Sequence, residues 1–226
     1  PPDERARAQE APVPAPVPAS ATGWTTRLAQ TLRSGGPWLM AVTFAAYSAQ
    51  WLAVIGFLPS LYAQSGWTGV LGAVLTALVA GVNIIGNVAA GRLLHRGVSA
   101  RTLLWTGFAT MALGTFLAFS SFTEGLPVVR YVGALMFSAV GGLIPGTLFG
   151  LASTLAPNER TISTTVGWMM QWSAAGQLAG PPLVAWVASH VGGWQWTWVV
   201  TGSGCVAGAL LAALIARRLS LAAFRP

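Results

Sequence analysis

Six apolar stretches, nearly free of charge and each long enough to cross a bilayer, follow one another along this chain with only short polar breaks between them. They fall at about residues 37–63, 68–94, 100–122, 127–156, 161–189 and 194–216. A hydrocarbon core about 30 Å thick takes around 20 apolar residues as helix. Lipid offers no partner to a backbone N–H or C=O, so a lone strand is excluded and each stretch must be a helix. The expected fold is therefore all-α: a polytopic membrane protein built as a six-helix transmembrane bundle. Charged residues make up only 8% of the chain, against roughly 25% in soluble domains. So little charge cannot clothe a water-facing surface, and lipid must cover it.

The breaks carry turn dipeptides: Ser65-Gly66, Arg96-Gly97, Glu124-Gly125, Pro157-Asn158 and Gly192-Gly193. They also carry the charge. All twelve basic residues are arginines. With an even number of spans both termini share one side, and that side holds Arg27, Arg33, Arg92, Arg96, Arg101, Arg160, Arg217, Arg218 and Arg225. The other side holds Arg130. This asymmetry predicts that both termini are cytoplasmic. A net charge of +7 spread over helix ends fits membrane anchoring, and no nucleic-acid partner is expected. Residues 1–36 are rich in Pro and Ala, with APVPAPVPA at 11–19. They read as a disordered cytoplasmic linker, the bundle as 37–218, and 219–226 as a cytoplasmic tail. A chain opening Pro1-Pro2-Asp3 on such a linker reads as the continuation of something upstream.

Small residues recur at the spacing that lets helices approach closely in lipid: Gly142, Gly146 and Gly150; Gly176 and Gly180; Gly204 and Gly208. Pro145 and Pro181-Pro182 are expected to interrupt the fourth and fifth spans. A faint internal echo pairs His95-x-Gly97 and Thr106-Gly107 with His190-x-Gly192 and Thr201-Gly202. It fits two three-span repeats.

The loop between the second and third spans reads GNVAAGRLLHRGVSAR, residues 86–101. It resembles the signature loop of the major facilitator superfamily at Gly91, Arg96, Gly97 and Arg101, with His95 standing where the family carries an acidic residue. Pro157-Asn158-Glu159-Arg160 followed by Gly167 resembles the loop before that family's eleventh span. The run 176–194, GQLAGPPLVAWVASHVGGW, resembles the eleventh span and its outer loop. The resemblance implies the C-terminal half, helices seven to twelve, of a twelve-helix secondary transporter. It implies a missing N-terminal six-helix half as partner, a small-molecule solute, and residence in the lipid bilayer of a bacterial inner (plasma) membrane. It also places the first, second, fourth and fifth spans around a central cavity, with the third and sixth outside.

Polar groups at membrane depth are costly and mark candidate sites. Tyr47, Gln50 and Trp51 lie at i, i+3, i+4 on the first span, and Trp168, Gln171 and Trp172 repeat that spacing on the fifth. Each trio reads as a cavity-lining aromatic–amide face suited to a small organic or anionic solute, or as a packed face with a hydrogen-bonding Gln. Asn83 and Asn87 share a face of the second span and read as cavity lining or as helix glue. Gln177 points away from Gln171 and reads as packing. Arg130 snorkels to headgroups or faces the cavity and attracts an anion.

Enzyme motifs are missing: HExxH, GxSxG and a Walker loop are all absent. His95 and His190 fall in loops on opposite faces and cannot share a metal, so neither a metal nor another cofactor is expected. Glu124 and Glu159 sit in loops, which leaves any proton-coupling carboxylate to the missing half. A second reading, a self-sufficient six-span channel or small transporter that oligomerises, stays open.

Overall fold

In a computed structural model that describes residues 23–223, the chain is a bundle of long helices. The first span is Gly35–Gln64, the second Gly69–His95, the third Ala100–Phe119 and the fourth Pro127–Gly150. The fifth is Ile162–Val191 and the sixth Thr197–Ala223. Five of these rods are apolar enough throughout to cross a membrane, the sixth span counted with the short turn Trp194–Trp196 before it. The fifth, at 30 residues, has the length. It falls short in apolarity, because Gln171, Gln177 and a Gly/Pro-rich centre dilute it. A polar helix of this kind is sustained in lipid by neighbours that cover it, and the first span does so along much of its length.

The first span is the hub. It packs against the fifth most extensively and against the sixth as well, while the third lies between the fourth and the sixth. The second rests on the fourth at the edge of the bundle. Its outer face, with Val70, Leu71, Val74, Ile84 and Ile85, is exposed. Met40, Phe44, Leu58, Phe108, Met111, Phe137, Ile144, Leu148 and Met169 fill the core. Two buried hydroxyl pairs tie spans together, Ser48 with Ser173 at 2.7 Å and Thr115 with Thr201 at 2.8 Å. Such pairs hold helices together in a medium without water; Thr201 Oγ1 also donates to the Thr197 carbonyl at 3.0 Å.

Glycine sets the closest approach that matters for the site. A Cβ on Gly142 would strike the carbonyl oxygen of Asn83, so only glycine lets the fourth span lie this near the second. The fourth span breaks locally at Gly142, before Pro145, and turns again at Leu151, just past its end, whereas the fifth runs through Pro181 and Pro182 without a break.

Two expected boundaries are corrected. The linker expected through residue 36 gives way to a helix at Trp24–Arg33, the remainder, 1–22, lying outside the described residues. The stretch WTTRLAQTLR holds neither Pro nor Gly, so nothing in it prevents a helix. Trp38 Nε1 donates to the Leu32 carbonyl at 2.8 Å and fixes the corner with the first span. The tail expected from 219 is instead helix to Ala223, since RRLSLAA has no residue that would stop the sixth span.

Candidate functional site

Halfway along the bundle a concavity of about 210 Å³ is lined by Phe44, Tyr47, Ser48 and Trp51 from the first span, and Asn83 and Asn87 from the second. Pro145 comes from the fourth span, and Met170, Ser173 and Gln177 from the fifth. These are the four spans that the resemblance placed around a cavity.

Two polar chains run into it. Asn87 Nδ2 donates to Asn83 Oδ1 at 2.9 Å. Asn83 Nδ2 in turn donates to the Tyr47 hydroxyl and to the Ser138 carbonyl, both at 2.8 Å. On the opposite wall Gln177 Nε2 donates to Ser173 Oγ at 3.2 Å, which pairs with Ser48. Trp51 Nε1 donates to Ser138 Oγ at 3.2 Å, which fixes its indole plane. Phe44 and Tyr47 stack with centroids 6.0 Å apart.

This leaves specific valences unspent. The Tyr47 hydroxyl accepts from Asn83, and its own proton has no protein acceptor among the described residues. The carbonyl oxygens of Asn87 and Gln177 likewise accept no protein hydrogen bond there. No charged side chain lines the concavity. Chemically it is a neutral surface with aromatic faces, one free hydroxyl donor and two amide acceptors.

The structure separates the other candidates from it. Gln50 is corrected first: its Nε2 turns back to the Ala46 carbonyl at 2.8 Å, and its Oε1 accepts from the Cys205 thiol at 3.0 Å. Its side chain packs on Gly204 of the sixth span. The i, i+3, i+4 trio thus spans too wide an arc to share one environment, and Tyr47 and Trp51 face the concavity while Gln50 faces the sixth span.

On the fifth span the buried stripe is Thr165, Met169, Ser173, Gly176, Gly180 and Val184. At about 100° per residue, Gln171 lies nearly opposite that stripe and is exposed. Trp168 and Trp172 flank the stripe on the side away from Gln177 and pack edge-on against Trp38, at 5.0 and 5.4 Å. Gln177, expected to pack, is the amide of this span that lines the concavity. Its signal was in the sequence: it stands four residues after Ser173 on the small-residue stripe.

Arg130 is corrected as well. It lies in a separate cavity at the far end of the bundle.

The signature loop is a helix stop and start, remote from the concavity. Gly91 is helical, Arg96 closes the second span and Gly97 has φ +86°. Val98 N–H donates to the Leu93 carbonyl at 3.0 Å, and Ser99 Oγ accepts from Thr102 N–H at 3.1 Å. Arg101 stacks over Trp105 at 5.2 Å.

A comparison with curated proteins gives no match. A scan against family models matches that of the Major Facilitator Superfamily over residues 1–175. With most of its 226 residues in that match, the chain belongs to the Major Facilitator Superfamily, whose members are transporters of small solutes across lipid bilayers.

Proposed function

We propose that the chain is the C-terminal half of a secondary transporter that moves a small, uncharged organic solute by alternating access, and that the concavity is this half's share of the solute site. The observation that carries the reading is the hydrogen-bonded chain Asn87–Asn83–Tyr47, which ends in unspent valences on a concave, charge-free surface at mid-bundle. Its volume of about 210 Å³ falls below the roughly 300–1,000 Å³ of complete small-molecule sites. A second six-helix bundle closing over it would supply the remainder, and rocking of one bundle against the other would expose the site to each side in turn. Both termini then lie in the cytoplasm of a bacterial inner membrane, by the arginine asymmetry. The exposed apolar face of the second span offers surface for the other half.

A solute-uptake screen on the intact protein, with uncharged polyols, heterocycles and organic anions in parallel, tests this. Saturable uptake of an uncharged compound, with its half-saturation concentration raised several-fold by Asn83→Ala, is the expected result. Anion-only uptake would overturn the solute class. Saturable uptake by residues 23–223 alone in vesicles would favour the oligomerising six-span alternative over the half-transporter.

A further inference from the structure

At the end of the bundle away from the arginine-rich turns, a second cavity of about 470 Å³ opens among Gln64, Ser121, Glu124, Arg130, Trp194 and Gln195. The ends of three interspan connections meet there, where the apolar spans give way to polar turns. Arg130 is 9% exposed. Its Nε donates to Thr123 Oγ1 at 3.4 Å and one terminal nitrogen to the Ser120 carbonyl at 3.2 Å. A guanidinium has five N–H donors, so most of its capacity is unspent, and among the described residues no carboxylate oxygen lies within 4 Å of it. It also sits in the first turn of the fourth span, where the helix dipole disfavours a cation. A nearly buried charge served only by two neutral oxygens is an unfinished ion pair. Glu124 lines the same cavity without reaching it, and the Trp194 indole lines it too.

We infer that this cavity binds a zwitterion of the phosphoethanolamine type, with the phosphate on Arg130 and the ammonium between Glu124 and the Trp194 ring. A planar guanidinium pairs an oxyanion through two parallel hydrogen bonds. A carboxylate beside an aromatic face suits an ammonium. A single anion would leave Glu124 as a like charge beside it, and a single cation would face Arg130; one molecule carrying both charges satisfies both walls. The same chemistry arrives in two forms, as the headgroup of a membrane phospholipid or as a free soluble zwitterion. The place of the cavity, at the ends of the apolar spans, favours the headgroup.

The test uses the intact protein. In nanodiscs of mixed ethanolamine and glycerol phospholipids, native mass spectrometry of wild type should show preferential retention of an ethanolamine lipid. In detergent, soluble phosphoethanolamine should compete that lipid off if free zwitterions also fit. Failure to compete assigns the site to the membrane-held headgroup. Arg130→Gln should weaken retention roughly tenfold or more, as the loss of a charge-assisted pair predicts. Glu124→Gln, at an exposed turn, should fold as wild type does, keep phosphate affinity and lose the preference for ethanolamine over glycerol. Wild type retaining neither lipid, or retaining both lipids equally, overturns the inference. An Arg130→Gln protein that is destabilised yet binds as wild type does would mark the arginine as a loop fastener and overturn it too.

Discussion

The Asn83 side-chain amide donates to the Tyr47 hydroxyl across 2.8 Å, joining the second span to the first at mid-bundle. The same nitrogen also reaches the Ser138 carbonyl of the fourth span at 2.8 Å. One amide therefore fixes three helices and orients the free proton of Tyr47 toward the concavity. Asn83→Ala should weaken solute binding by roughly 2- to 13-fold, the value of about 0.5–1.5 kcal/mol of net hydrogen bonding. Equilibrium binding on the folded, intact protein measures it. Unchanged affinity would remove Asn83 from the site.

The two fifth-span amides separate cleanly. Gln177→Ala should weaken binding by a similar few-fold factor, because its carbonyl lines the concavity. Gln171→Ala should leave affinity unchanged, because that side chain is on the opposite, exposed face. Paired binding isotherms check this, and the reverse ranking would restore the arrangement expected from sequence.

Gln50 should behave as a structural residue. Gln50→Ala removes the acceptor of the buried Cys205 thiol and leaves space beside Gly204. Thermal unfolding in detergent should report a loss of about 1–3 kcal/mol, while solute affinity in the surviving folded protein stays at the wild-type value. A weakened affinity at unchanged stability is the outcome that contradicts this assignment.

Gly142→Val should prevent the second and fourth spans from closing. The new Cβ would meet the Asn83 carbonyl oxygen, a backbone atom that cannot swing aside. Overpacking of a dense core typically costs about 1–3 kcal/mol and more where backbone must move. Size-exclusion profiles should show little monodisperse protein, whereas Gly81→Ala, which meets nothing within 4 Å, should be tolerated.

Topology is checked by single cysteines in a Cys205→Ala background. A cysteine at position 125 should react with an impermeant reagent in intact cells, and one at position 98 should react only after permeabilisation. The opposite pattern would invert the bundle.

Much of this protein was fixed by local chemistry. Long charge-free stretches have one stable form in lipid, a helix, because each N–H must find its carbonyl within the segment. The turn glycines were legible for a similar reason. Gly97 and Gly192, paired positions of the internal echo, both adopt positive φ, at 86° and 79°, within two residues of a span's end. The helix Trp24–Arg33 follows a Pro/Ala-rich run that favours extended chain, yet its own ten residues contain no helix breaker.

Which polar side chains face a common space was decided only in three dimensions. Helical spacing says that Tyr47, Gln50 and Trp51 lie on one broad side of the first span. It does not say that the sixth span, bared by Gly204, comes close enough to take Gln50, while the second and fourth spans leave Tyr47 and Trp51 facing the concavity. The same holds for the fifth span, where close packing against the first buries the stripe of Ser173, Gly176 and Gly180 and so turns Gln177 to the concavity and Gln171 outward. Sequence sets the angle between two side chains on one helix; what each one meets depends on where the neighbouring helices can approach, and that is a property of the packed bundle.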